Sequence, residues 1–456
     1  MAVTVVWPYP FRDFDGARLA IDQLGSSAPV SVHDITALVN PATVAAYQRT
    51  SDDPRRLIWT SWRDWSEVIE ASASRGAVVI SGLAPSSPRA VRALWVLARA
   101  GVPTVGLLLG GVPGLRRSLS GRGETWRRLL GPLFHLLKRR LVRRLAPTAV
   151  LLGGCWSSRA LRRAWGHRSA GLLGRSFDAD RAVGPSSKSL NEPAVYVDTG
   201  YPAMPQDYAF LGKPITEKPN HWHDRLEQFM LSTDRVIGDR TIVAVHPKHR
   251  SDLVSSHFMG RSCVADRTPL LAANAALLLT INSTAVSFAI LNSRPIALTT
   301  SRMREQDDHF RSVTATFAFE TGARVFNIDQ DYTDDEIRAA LTIDEAKYAR
   351  YRRKYLTTRT DDKRNYQILL EEVIWPYAEM FRAEQERTGV GPDGALSRRS
   401  RKRIIRQLQR RIRERNEVTD LLREAKEMKK IEDAEWRAWR REDRRAQRER
   451  RRAARS

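Results

Sequence analysis

Cysteine is nearly absent: the 456 residues hold two, Cys155 and Cys263. Two thiols cannot supply a disulfide framework or a Cys-based metal site. Long apolar runs are missing as well. The longest, around Leu270–Ile281, is far shorter than the ~20 residues a membrane-spanning helix needs, and the mean hydropathy of −0.43 points the same way. The first residues, Met-Ala-Val-Thr-Val-Val-Trp-Pro, lack a basic leader and read as a strand, so no signal peptide is expected. The expected location is cytoplasmic, with peripheral attachment at the inner face of the cell membrane left open to the basic segments described below.

Acidic residues are the scarcer charge, with 52 Asp+Glu against 76 Lys+Arg and a net charge of +24. The excess is uneven. Ser397–Ser456 carries 24 Lys+Arg and 11 Asp+Glu, a net +13, and the other 396 residues carry +11. The basicity is therefore largely a property of one tail. Arg398–Ser456 has neither Pro nor Gly, and Ile404, Leu408, Ile412, Leu421, Trp436 and Trp439 belong to an irregular apolar seam without a lasting heptad. A solvated, partly helical appendage is the expected state. It could bind anionic lipid or an acidic polymer. No nucleic-acid-binding module accompanies it, so no specific nucleic acid partner is expected.

A chain of this length exceeds a single core. Strands are predicted at Val3–Trp7, Val30–Ile35, Ala77–Ser81, Pro103–Leu109, Ala149–Leu152 and Val195–Asp198, with helices at Gly16–Leu24, Pro88–Ala100 and Glu124–Leu145 between them. This alternation predicts a parallel sheet covered by helices. A Pro- and Lys-bearing connector near Tyr208–Trp222 separates a second series: helix His223–Asp234, strands Thr241–Val245, Ser262–Asp266, Ala276–Ile281, Pro295–Thr299 and Arg324–Ile328, with helices Pro269–Asn274 and Ala285–Leu291 interspersed. A polar helical region, Thr333–Arg387, closes the fold, and its last part, Tyr366–Arg387, is placed to cross back to the first domain. The expected architecture is α/β: two doubly wound, Rossmann-like domains, 1–215 and 216–390, facing a cleft, and a basic helical or partly disordered tail, 391–456.

Two polar turns follow apolar strands in the second series. The first, Thr-Ile-Val-Ala-Val-His-Pro-Lys-His-Arg, places His246 at the carboxyl end of a buried strand, where Pro247 stops pairing. A histidine there can hydrogen-bond a phosphate or ribose, or work as an acid–base near pH 7. Lys248 and Arg250 add charge suited to a diphosphate. The second turn, Asn282-Ser283-Thr284, opens a helix, with Ser287 one turn on. Its hydroxyls and the free backbone N–H groups of a helix start suit an anion, although an ordinary helix cap also explains any single Ser-Thr pair. Two such ends about one βαβ unit apart predict one nucleotide-shaped site, because ligands bind at the carboxyl ends of parallel strands. Asp198, after a strand of the first series, and Asp207 are acid–base candidates, and each is equally readable as a turn former. Asp13-Phe14-Asp15 spells an Asp-x-Asp pattern of the kind that can hold a divalent metal, but it lies right after the first strand and chance occurrence is high at 28% charged residues, so no metal is expected. Glu124–Leu145 is a basic amphipathic pattern that fits either a domain helix with snorkelling cations or contact with an anionic membrane surface.

The His-Pro and Ser-Thr turns resemble those of bacterial sialyltransferases, Kdo transferases and related capsule enzymes, and are similar to the His-Pro plus Ser-Ser pattern of teichoic-acid glycerophosphotransferases. The chain more closely resembles a family of surface-carbohydrate biosynthesis proteins encoded with lipopolysaccharide or capsule genes. That resemblance lies in Val195–Asp198 with Tyr201, Pro202 and Asp207, in Val243–Arg250, and in Leu278–Ala289 with Pro295. It implies a GT-B-like fold and a metal-independent glycosyltransferase without a cofactor. The implied partners are a nucleotide-sugar donor, CMP-linked by preference, and a cell-surface polysaccharide or lipid-linked glycan acceptor. Donor contacts are implied for His246, Pro247, Lys248, Arg250, Asn282, Ser283, Thr284 and Ser287, and catalysis for His246, Asp198 and Asp207. The chain departs from the pattern where Met204-Pro205-Gln206-Asp207 replaces a His-Pro-Asp, and where Thr280, Ile281 and Asn282 stand in place of a histidine. A CDP-polyol phosphotransferase and a noncatalytic, degenerate transferase acting as a scaffold are the alternative expectations.

Overall fold

The structure is a computed structural model that describes residues 1–44, 51–110, 113, 142–182, 192–203, 215, 217–246, 257–258, 260–392 and 394–453. These divide into two compact units. Unit one holds the described residues within 1–111, 121–180 and 354–425, and unit two those within 112–120, 181–353 and 426–456. Among the described residues, no helix is long and apolar enough to cross a membrane.

Unit one is built on seven parallel strands in the order β3-β2-β1-β4-β5-β6-β7. They are β1 (Val3–Trp7), β2 (Val30–Asp34), β3 (Arg56–Ile58), β4 (Val78–Ser81), β5 (Thr104–Leu108), β6 (Ala149–Leu152) and β7 (Ala170–Leu173). A sheet covered on both faces needs apolar residues at every strand position. The alternation of side chains then divides them: Val78, Ile80, Ala149 and Leu151 enter one buried cluster, and Val79, Val150 and Leu152 enter the other. Helices Trp62–Ser74 and Pro88–Ala100 cover the second face with Trp65, Ile69, Leu94 and Leu97. Val142 and Leu145 join that face; the rest of the expected Glu124–Leu145 helix, through residue 141, lies outside the described residues.

The first face is closed from the far end of the sequence. Ile368, Val373, Ile374, Tyr377 and Phe381 pack into the same cluster as Val3 and Val5, so Tyr366–Arg387 does return to the first unit. Helix Arg398–Arg415 follows, opened by Ser397, whose side chain accepts the Ser400 N–H. Its Ile404, Leu408 and Ile412, spaced four apart, are no more than 1% exposed within that cluster. This corrects the expectation of a solvated appendage: apart from the buried Arg401, the basic residues are the outer face of a helix whose apolar stripe completes a core. Beyond it, Asn416 accepts the Leu173 N–H through Oδ1 at 3.0 Å and so satisfies the outer strand β7.

Unit two has six parallel strands in the order β10-β9-β8-β11-β12-β13. They are β8 (Val195–Val197), β9 (Ile242–Ala244), β10 (Cys263–Val264), β11 (Leu278–Thr280), β12 (Ile296–Thr300) and β13 (Arg324–Asn327). The sequence reading put Val195–Asp198 in the first domain. It pairs instead with β9 and β11, because strand alternation shows that a strand exists but not which sheet receives it. Helix Pro219–Ile237 packs Trp222, Leu226, Phe229 and Met230 against Tyr196, Val243, Leu279 and Phe326. Arg261 is buried in this unit, held by Glu227 at 2.7 Å and Asp234 at 2.9 Å. In the last helix, Val418–Ala453, Trp436 and Trp439 stack on each other, and each meets Phe319 in a T-shaped contact.

Candidate functional site

In unit two the strand order, numbered within the sheet, is 3-2-1-4-5-6. In that order the chain reverses its direction of winding between β8 and β11, and their carboxyl ends diverge into a crevice. Register pairs Val197 with Ala244 on one side and with Thr280 on the other. Asp198, Val245-His246 and Ile281-Asn282 therefore leave the sheet at one level, from three neighbouring strands. The structure brings together His246, Asp198 and the Asn282–Thr284 turn.

Asp198 is 2% exposed and organises this rim. Its Oδ1 accepts the Gly200 N–H at 2.8 Å, and its Oδ2 accepts the His246 N–H at 3.4 Å. The tight loop it closes needs a φ of +76° at residue 200, which glycine adopts freely. Its charge also reaches β10, where burial first and Asp198 second push the Cys263 thiol up. Asp198 thus has a clear structural duty, the turn-forming one, and sits beside His246 within one unit rather than facing it from another.

At β11 the side chain of Ser283 accepts the Ala285 N–H at 3.1 Å. The next bonds are short-range: Ser287 N–H to Thr284 O at 2.9 Å and Phe288 N–H to Ala285 O at 3.0 Å. The chain tightens before entering Val286–Leu291, a helix of six residues. Ser283 therefore closes the turn itself rather than capping the helix as expected. Asn282 and Ser283 are half-buried and Thr284 is exposed, so the turn presents polar groups outward. Ser287 is fully buried, and its Oγ has no protein partner.

Asp207, Pro247, Lys248 and Arg250, like Met204, Pro205 and Gln206, lie outside the described residues. The Asp-x-Asp pattern lies in unit one on helix Asp13–Arg18. Asp15 is buried and accepts the Arg12 N–H at 3.2 Å; burial, the largest influence, raises its carboxyl pKa against the opposing effect of Arg12. Asp13 accepts the Ser51 hydroxyl. Both carboxylates are engaged in fixing the chain after β1.

Sequence reasoning missed a polar group one strand along the same rim. Glu217 is 4% exposed, and its Oε2 accepts the Tyr201 hydroxyl at 2.6 Å and the Ser301 hydroxyl at 2.8 Å. Burial first, then the bond to Glu217, push the Tyr201 phenol far above its usual range, so it stays a donor. The available signal was Ser301-Arg302-Met303-Arg304 directly after apolar Ile296–Thr300, the same strand-then-polar-turn pattern as at His246 and Ser283.

No family model matches the sequence, and no curated protein matches it. Among solved structures the chain is similar to the wall teichoic acid polymerase TagF, at 11% identity and a TM-score of 0.47 over 83% of this chain and 90% of that one. It is also similar to Acinetobacter baumannii MurG, at 9% identity and a TM-score of 0.36 over 74% and 89%. A third is Arabidopsis thaliana UGT89C1 complexed with UDP-L-rhamnose, at 12% identity and a TM-score of 0.41 over 77% and 92%.

Proposed function

We propose that this chain is a GT-B-type glycosyltransferase that moves a sugar from a nucleotide-linked donor, CMP-linked by preference, to a cell-surface polysaccharide or lipid-linked glycan. The observation that carries this reading is the meeting of His246, Asp198 and the Ser283–Thr284 turn at the carboxyl ends of β9, β8 and β11, beside the point where the winding reverses. That position suits a nucleotide, and the residues there suit its parts. Hydroxyls of Ser283 and Thr284 would donate to phosphate oxygens, with Lys248 and Arg250 adding positive charge. His246 would hold the nucleotide or protonate the departing phosphate. Asp198 positions His246 through its backbone, and Asp207 is the candidate base for the acceptor hydroxyl. The reading needs no metal, since histidine and cations can neutralise the leaving group.

An anionic membrane surface is part of the proposal. A groove of about 780 Å³ in unit one is lined by Arg387, Arg398, Arg399, Lys402, Arg403 and Arg406, and such a cluster attracts anionic headgroups. A CDP-polyol phosphotransferase would use the same turns, so donor identity separates the two readings.

The test is turnover: release of CMP from CMP-linked sugars, or from CDP-linked polyols, in the presence of glycan acceptors. A folded His246→Ala, Ser283→Ala double variant is expected to lose it. Unchanged turnover in that variant defeats the site assignment.

A further inference from the structure

Strand β12 ends at Thr300, and Ser301 opens the helix Arg302–Gln306 by accepting the Arg304 N–H through its side chain at 3.2 Å. That places Arg304 on the same carboxyl rim as the Ser283 turn, since β11 and β12 are parallel neighbours. Arg304 is 1% exposed. Its guanidinium carbon lies 4.5 Å from the ring centroids of both Tyr201 and Phe310. The rings hold the group by cation–π attraction, and its N–H groups lie near the Tyr201 hydroxyl, whose pKa they lower against the larger effects of burial and Glu217. Nε, Nη1 and Nη2 all lack a hydrogen-bond partner.

The other fully buried arginines among the described residues, Arg261 and Arg401, have partners for their terminal nitrogens, and only Arg401 Nε has none. Arg261 bonds Glu227, Asp234 and the Thr241 carbonyl, and Arg401 spends its Nη atoms on Glu70 and the Leu396 and Ala100 carbonyls. Glu217, joined to Arg304 through Tyr201 and Ser301, has its Oε2 committed to those two hydroxyls, while its Oε1 has no hydrogen-bond partner. A buried charge with an unfilled donor fork is costly unless something else fills it. The planar fork of an arginine matches the oxygens of a phosphate two at a time.

We propose that Arg304 is a further anion-binding residue of this rim, taking a phosphate or diphosphate group of the ligand alongside the Ser283–Thr284 turn. The identity of that ligand as a nucleotide rests on the transferase reading above; the anion site itself does not. Tyr201, kept protonated and tied to Glu217, fixes one wall of the guanidinium. Phe310 fixes the other.

The experiment is calorimetry on the full chain with three probes, inorganic diphosphate, CDP and cytidine, comparing wild type, Arg304→Gln and Arg304→Lys. Arg304→Gln is expected to weaken diphosphate and CDP by roughly 10- to 100-fold while leaving any cytidine binding unchanged. Arg304→Lys keeps the charge without the fork and is expected to fall between; it is the variant to read if Arg304→Gln does not fold. Undiminished diphosphate affinity in a folded variant overturns the proposal, as does a wild type that binds neither diphosphate nor CDP. If wild type binds CDP and Arg304→Gln binds it equally, the Arg304 site fails and the donor reading stands. If wild type binds diphosphate through Arg304 but discriminates no nucleotide, the anion site stands and the donor reading fails.

Discussion

The His246 main-chain N–H points at Asp198 Oδ2, 3.4 Å away, while the other oxygen of the same carboxylate takes the Gly200 N–H at 2.8 Å. One buried acid therefore ties the exit of β8 to the exit of β9. Replacing it by alanine leaves two main-chain donors without their acceptor, a loss of about 1–3 kcal/mol. Asp198→Asn keeps an acceptor for at least one of them and is expected to lose less. Urea unfolding of the two variants measures the difference. A wild-type midpoint for Asp198→Ala would show that this carboxylate does not hold the rim.

Arg261 is a second buried tie, gripped by Glu227 and Asp234. Removing one side of such a group strands the remaining charges away from water. Arg261→Met is expected to cost about 3–5 kcal/mol, with the loss visible in the thermal or denaturant transition of unit two. A change below about 1 kcal/mol would mean that the carboxylates find water instead.

How far the sequence foretold this architecture depends on where each element sits. Central strands such as β1, β6 and β11 are continuous apolar runs bounded by turn residues, and periodicity places them to within a residue or two. The outer strands β3 and β7 escaped. Leu57 and Ile58 of β3 are exposed, and β7 is four residues with Gly171 inside, so neither has the pattern of a buried strand. The His246 and Ser283 turns were legible because each follows such a run. That β8 belongs with them was not, since sheet membership is settled by pairing across distant sequence. Arg304 was hidden for a related reason: its meaning lies in what its nitrogens lack, which no local pattern displays.

The C-terminal basic helix shows the same limit from the other side. Charge dominates its composition, and the stripe Ile404, Leu408, Ile412 reveals its role only once a core receives it. Leu408→Ala is expected to destabilise unit one by about 2–5 kcal/mol through the lost contact and the cavity left behind. Arg410→Ala, on the exposed face, is expected to change stability by less than about 0.5 kcal/mol. Equal, small effects in denaturant unfolding would contradict the packed-helix description.

His33 provides a pH test. Burial holds its imidazole at about 4, below the ordinary 6.5. Between those values the unfolded chain binds the proton and the folded chain does not, so stability rises with pH. Its contribution is fully present above about pH 6.5 and is lost as pH falls toward 4, up to about 3 kcal/mol in all. Urea midpoints measured from pH 7 to pH 4.5 are expected to fall, and more steeply in wild type than in His33→Phe. Parallel curves would remove His33 as a source of acid sensitivity.

The central claim is that the rim of β9, β8 and β11 binds a nucleotide. Its most direct measurement is calorimetric titration of the purified chain with CMP, CDP, UDP and GDP, with His246→Ala alongside. The account predicts binding selective for the cytidine nucleotides and lost in the variant. No binding of any of the four at millimolar concentration would contradict it and bring forward a noncatalytic scaffold.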